Sequence, residues 1–286
     1  MHQTQSESVL GWLVPPAYLV LDIETTAGDP TEAEAWVRRA WSPSKTWKPA
    51  TIGERYLEAV AKKEERLALL DSAPIISVAM KTLHSCRVLH WLDCDRTAFG
   101  TAALVRLADQ RAMLAAAAAL LAACDAETIL VGHAIRHFDL PKLRNAMLRC
   151  CIALPPALAW RDQPTFDTMR EWSRFTIDDR QYIPLSELLE CCGLADHKQL
   201  ADGAIVPEMH AAGRYEEILA YATADVLAEE AVYLRMIGAA SGGHADIEAA
   251  AAAEAAAGPN GTDPAAAADE ANELERILKQ LETLPC

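Results

Sequence analysis

The stretch YLVLDIETT, residues 18–26, decides how this chain is read. YLVLDI (18–23) is a short apolar run of strand length, yet it closes on two acids, Asp22 and Glu24. A charge in such a strand is costly unless it reaches water or a cation. With period-two alternation the two carboxylates share one face, about 7 Å apart along the strand. Convergence to about 4 Å at an effective dielectric near 20 would cost about 4 kcal/mol of repulsion. A divalent cation reverses that sign. The competing explanation is a strand end that turns into solvent.

Working outward, PIISVAMK (74–81) and RVLHWL (87–92) read as two further strands in hairpin relation. A helix follows over about 111–125, then strand TILVGH (128–133) and a helix over about 140–151. Thr165–Phe166 suits a short strand. A helix over 185–192 stops at Gly193, and a last one covers about 215–237. Strands first, then helix and strand in alternation, predict an α/β sheet with an antiparallel portion.

The domain is interrupted at about 27–73 by a segment holding three of the seven tryptophans, Trp36, Trp41 and Trp47. From Trp36 to Arg66 it carries eight bases against four acids, and a helix is expected over about 53–70. Residues 1–238 are thus read as one domain with an insertion, and 239–286 as an Ala-rich acidic tail, partly helical or disordered. AGPNGTDP (257–264) breaks that tail in two. Leu274, Ile277, Leu278, Leu281 and Leu284 then line one helix face.

The chain has 286 residues and a formal net charge of −15, from 26 bases and 41 acids. Half the residues are apolar, which excludes wholesale disorder. The acidic balance argues against a general basic coat protein for nucleic acid. Nearly half of the excess, seven charges, lies in the last 50 residues. The eight cysteines include no CxxC that could pair with a second CxxC or with an HxxxH in a structural zinc site. MHQTQSESVL lacks a basic-then-apolar leader, and the longest apolar run, Ala112–Cys124, is 13 residues. A reduced, cytoplasmic protein without a membrane partner is expected.

Two more acids stand out. Asp139 in LVGHAIRHFDLPKL follows a strand and opens a helix, with Pro141 in the first turn. A plain helix cap would explain it alone. Asp225 in AYATADVLAEE has Tyr221 four residues earlier, on the same helix face, among small and apolar neighbours. Either acid alone would ordinarily be structural.

D-x-E at a strand end, F-D after a G-H strand, and Y-x-x-x-D on a late helix form an ordered set. In that order they resemble the DEDD superfamily of 3′→5′ exonucleases, in the subgroup with tyrosine in the third motif (DEDDy). The likeness is to stand-alone, phage-type relatives of the exonuclease domain of B-family DNA polymerases. FDTM (166–169), IPLSELLECCGL (183–194), K-x-x-x-D-G (198–203) and GRYEEILAYATADV (213–226) extend it over about residues 17–236. The resemblance implies a ribonuclease-H-like fold, a mixed five-stranded sheet flanked by helices. It assigns Asp22, Glu24, Asp139 and Asp225 as metal-binding carboxylates and Tyr221 as the group that orients the attacking water. It implies two divalent cations, Mg²⁺ or Mn²⁺, which hard oxygen ligands suit. Tyrosine, with an ordinary pKa near 10, is a poor stoichiometric base, so positioning of a metal-bound hydroxide is its expected role and proton removal the lesser alternative. Relatives usually carry Asn where this chain has Ala134, and minimal members lack the insertion.

The activity implied is hydrolysis of single-stranded DNA from its 3′ end, releasing nucleoside monophosphates. RNA 3′-end trimming is a second reading, and a weakly active nucleic-acid-binding or partner-docking module a third. Thr25 and Thr26 are candidate contacts to the terminal nucleotide, or strand-ending residues bonded to backbone. Lys45 and Lys48, among the tryptophans, suit a single-strand clamp in which aromatics stack on bases and cations track phosphates. The alternative is that the tryptophans pack the insertion. His133 and His137 flank the second motif as strand-end and loop residues, His133 being a candidate substrate contact. Arg136, Lys142 and Arg144 either approach phosphate or decorate an exposed helix. The tail is a candidate contact for a replication or repair protein.

Overall fold

The computed structural model describes residues 17–83, 85–175, 182–194 and 203–239. The tail, its leucine face, and Lys198 and Asp202 of the K-x-x-x-D-G stretch lie outside the described residues.

The sheet has seven strands: β1 (Tyr18–Thr25), β2 (Ile75–Lys81), β3 (Cys86–His90), β4 (Ala98–Phe99), β5 (Ala102–Arg106), β6 (Ile129–Gly132) and β7 (Thr165–Asp167). Their order is β4-β5-β3-β2-β1-β6-β7. β2 runs antiparallel to both β1 and β3, whereas β6 and β7 continue parallel to β1. The sheet thus has seven strands where five were expected: β5 runs parallel to β3, and the two-residue β4 lies beyond it. AALVR carries little strand signal because alanine is a poor strand former, yet Ala102 and Leu104 point into the core.

Nine helices are described: α1 (Pro30–Ala40), α2 (Pro49–Glu64), α3 (Gln110–Ala123), α4 (Asp139–Arg149), α5 (Pro156–Ala159), α6 (Thr168–Ser173), α7 (Leu185–Cys191), α8 (Val206–Ala211) and α9 (Tyr215–Met236). Strand alternation sorts β1 between two cores. Leu19, Leu21 and Ile23 face α3, α4 and α5 through Met113, Leu114, Leu121, Leu143 and Leu158. Tyr18 and Val20 face the other way, toward Ile218, Leu219, Ala222 and Val226 of α9. Asp22 and Glu24 share that second face, so they point toward α9. A smaller core of Met169, Leu188, Leu189, Ala228 and Val232 packs α6 and α7 on the same helix. Enclosed by both, α9 needs apolar residues around most of its circumference.

Gly132 ends β6 where it meets β1. A Cβ there would lie 2.9 Å from the Leu21 carbonyl oxygen, so the two strands require glycine at this position.

The insertion is a helical pair. Asp29 caps α1, accepting from the Thr31 N–H at 2.8 Å, and Pro30 opens the first turn. The helix expected over 53–70 instead begins at Pro49 and ends at Glu64, before a short 3₁₀ turn at Leu67–Leu69. Trp41 packs against Trp47 and edge-on to Tyr56, and Lys63 lies 3.9 Å over the Trp36 ring. No helix among the described residues is long and apolar enough to cross a membrane. The described cysteines are free thiols.

Candidate metal centre

β1 and α9 bring three of the four expected acids together. Carboxylate oxygens of Asp22, Glu24 and Asp225 all lie within 4.8 Å of one another. Asp22 and Glu24 sit opposite Ala79 and Ser77 of β2, and the ladder slips just after Glu24. That irregularity ends the regular register at the site itself. Asp139 is outside the 4.8 Å set but joined to it, because its Oδ1 accepts the Ile23 N–H at 3.2 Å. It is the first residue of α4, and its carboxylate reaches across to β1.

Burial dominates the electrostatics. It pushes the Asp22 carboxyl up to about 6, against the opposing pull of hydrogen bonds from Glu24 and the Ile23 N–H. Asp225 is raised to about 8, first by burial and then by the Asp22 charge. Glu24 and Asp139 stand well above the usual carboxylate range, through burial and then through Asp22. Asp22 Oδ2 is shut off from solvent without a hydrogen-bond partner. Clustered acids with an orphaned oxygen fit a hard cation: all donors are oxygen, and a positive charge converts their mutual repulsion into attraction.

The Tyr221 hydroxyl bonds to Asp225, and burial followed by the Asp225, Glu24 and Asp22 charges raises its pKa. It therefore remains a phenol, able to donate a hydrogen bond. Gly203, the last residue of the K-x-x-x-D-G stretch, lies against it: a Cβ at 203 would stand 3.1 Å from the Tyr221 oxygen.

The loop between β6 and α4 is fastened by acids that sequence reasoning did not assign. Buried Asp167, in FDTM, accepts from the backbone N–H groups of Ala134 at 3.2 Å and Arg136 at 3.3 Å. It also caps α6 through the Arg170 N–H at 3.1 Å. Ala134 consequently holds a left-handed backbone, φ 64°. Glu229, 2% exposed, accepts from the His133 N–H at 2.9 Å. Tyr221, Asp225, Glu229 and the fully buried Tyr233 recur every four residues, one stripe along α9. That spacing was the available signal for Glu229.

Several expected substrate contacts have other employment. Both ring nitrogens of His133 are engaged, one with Thr168 Oγ1 at 3.0 Å and one with the Ile183 carbonyl at 2.8 Å. His133 thus braces α6 and the approach to α7, with both ring nitrogens taken by protein partners. Buried Thr25 donates to the Ala68 carbonyl at 3.0 Å, which ties β1 to the end of the insertion. Thr26 is half-buried, its hydroxyl 3.2 Å from His210 Nδ1. Lys45 and Lys48 are exposed on the insertion.

Lys142 is neither exposed nor poised for phosphate. It is 3% exposed, and its ammonium donates to the carbonyls of Leu70 and, at 3.3 Å, Ala68. Desolvation pulls its pKa down to about 8. Arg136 and Arg144 donate to the carbonyls of Thr165 and Leu158 at 2.8 and 3.2 Å.

No protein-family model matches this chain, and no curated protein matches it.

Proposed function

We propose that this chain is a ribonuclease-H-like 3′→5′ exonuclease of the DEDD type, acting on single-stranded DNA and releasing nucleoside monophosphates. One observation carries the reading: Asp22 and Glu24 from β1 meet Asp225 from α9 within 4.8 Å, with the Tyr221 hydroxyl on Asp225. The mixed sheet supports it: β2 runs antiparallel to β1 and β3, while β6 and β7 run parallel to β1, with helices on both faces.

The acids would hold two divalent cations, Mg²⁺ or Mn²⁺. Such ions supply an activated water and stabilise the leaving 3′ oxygen of an in-line displacement. The protein's own groups do the rest. Asp22, Glu24 and Asp225 fix the charge that the ions meet, and Asp139 anchors the strand that carries two of them. Tyr221, whose proton is directed at Asp225, would accept from the attacking water through its phenol oxygen, positioning it without removing its proton.

The test is 5′-labelled single-stranded DNA, single-stranded RNA and duplex DNA, each with Mg²⁺, Mn²⁺ or EDTA. A ladder shortening from the 3′ end of the DNA strand is expected, absent with EDTA and with Asp22→Asn. Laddering of RNA alone would reassign the substrate, and no laddering on any strand would overturn the reading. Tyr221→Phe should slow turnover while metal binding persists.

A further inference from the structure

The stripe on α9 continues past Asp225, and its next member is an acid without an assigned role. Glu229 is buried to 2% exposure, one helical turn beyond Asp225. Its Oε1 is used by the His133 N–H, whereas its Oε2 is sealed from solvent without a hydrogen-bond partner. The other orphaned carboxylate oxygen in this region is Asp22 Oδ2. Burying a carboxyl group with one oxygen left without a partner is costly whether or not it is ionised. A helix cap or loop brace would need only the oxygen that His133 already occupies, and a neutral side chain could serve as well. The second oxygen is therefore the feature to be explained.

We propose that Glu229 is a fifth carboxylate of the metal centre, contributing its Oε2 to the cation held on the Asp22–Asp139 side of the cluster. The inference rests on the metal-dependent reading above and adds a ligand to it. Glu229 stands one turn beyond Asp225 on α9 and, like Asp139, outside the 4.8 Å set of Asp22, Glu24 and Asp225, and the charges of Asp22, Asp139 and Asp225 all act on it. Its fixed oxygen links it to the loop leading into Asp139, since His133 lies six residues before that acid. Glu229 thus connects two sides of the site: α9, which brings Asp225, and the β6–α4 loop, which brings Asp139. Asp22, Glu24 and Asp225 form the tighter set. Glu229 would give the Asp22–Asp139 side a third carboxylate.

The experiment is calorimetric titration of the metal-free protein with Mn²⁺ alone, without nucleic acid, comparing wild type with Glu229→Gln and Glu229→Asp. Gln retains an oxygen for the His133 N–H and the same volume, but loses the charge. Two sites are expected in the wild type. In E229Q one of them should weaken about tenfold or more while the other persists, with the melting profile preserved. Asp, which keeps the charge one methylene further back, should recover part of the lost affinity. E229Q binding both ions like wild type would overturn the assignment, as would E229D binding no better than E229Q. Should the wild type itself bind no Mn²⁺, the metal-dependent function falls together with the assignment. If the wild type binds two ions and ladders DNA while E229Q binds both ions equally well, only the role of Glu229 falls.

Discussion

The backbone N–H of Ile23 points at Asp139 Oδ1 across 3.2 Å, so the strand that supplies two acids is clipped to the helix that begins with a third. The contact joins residues 116 apart in sequence. Strand β1 and helix α4 cannot separate without exposing the centre of the acid cluster.

The cluster makes metal-free stability depend on pH in an unusual direction. Asp22 and Asp225 are raised to about 6 and about 8 in the folded chain, against about 4 when unfolded. Between those values the folded state binds more protons than the unfolded one, so their contribution is greatest below about pH 4 and is lost as pH rises to about 8. With EDTA, the melting temperature of the wild type should fall from pH 5 to pH 8 relative to Asp225→Asn. Millimolar Mg²⁺ should raise it again at pH 8. A wild-type melting temperature that climbs over this range, relative to the variant, would contradict the electrostatic account.

Gly203→Ala tests how Tyr221 is held. The added methyl would stand 3.1 Å from the phenol oxygen, which must give by a few tenths of an ångström. Turnover should drop about tenfold through misalignment alone, with Mn²⁺ affinity and melting temperature little changed. Single-turnover rates beside calorimetry would separate the two effects. Unchanged rates would mean that the tyrosine tolerates the displacement.

Ala134 occupies a conformation that costs an L-residue with a Cβ about 1–2 kcal/mol. Asparagine adopts it more readily, and asparagine is the residue usual at this position in the family that the sequence resembles. Ala134→Asn should therefore stabilise the fold by about 1 kcal/mol, seen as a higher midpoint in urea at unchanged slope. A lower midpoint would show that the half-buried site cannot admit the longer side chain.

Lys142→Met should loosen the insertion. The substitution removes the ammonium that bridges the Ala68 and Leu70 carbonyls, which keep only the Thr25 hydroxyl and the Ala73 N–H, at a cost of about 1–2 kcal/mol. Limited proteolysis should cut within 45–72 faster than in wild type. Equal cleavage would indicate that Thr25 and the Arg149–Asp71 ion pair suffice to hold the segment.

Much of this architecture was legible because its signals are local. The alternation in YLVLDIETT identified β1 and the shared face of Asp22 and Glu24. Pro141 and Gly193 marked helix ends. The cap at Asp29 with Pro30 also announced α1, but within a segment read for its tryptophans and charge. β5 was hidden because alanines supply two of its five residues, and a central sheet can recruit such a strand by pairing alone. The fates of His133, Thr25 and Lys142 were not legible, since each is decided by a carbonyl distant in sequence. Lys142 reaches back over 70 residues for its partners, which no spacing rule on α4 could reveal. Glu229 lay within reach of the four-residue repeat on α9, but Asp225 had already satisfied the expected motif.

The shortness of the outermost strands has a bearing on solubility. β4 contributes two residues and β7 three, so each margin of the seven-stranded sheet offers a passing chain little ladder to extend. Long, flat margins invite edge-to-edge association, and very short ones deter it. The longest strands, β1 and β2, lie side by side in the interior of the sheet with partners on both flanks. A protein that must keep apolar strands at its centre thereby withholds them from aggregation.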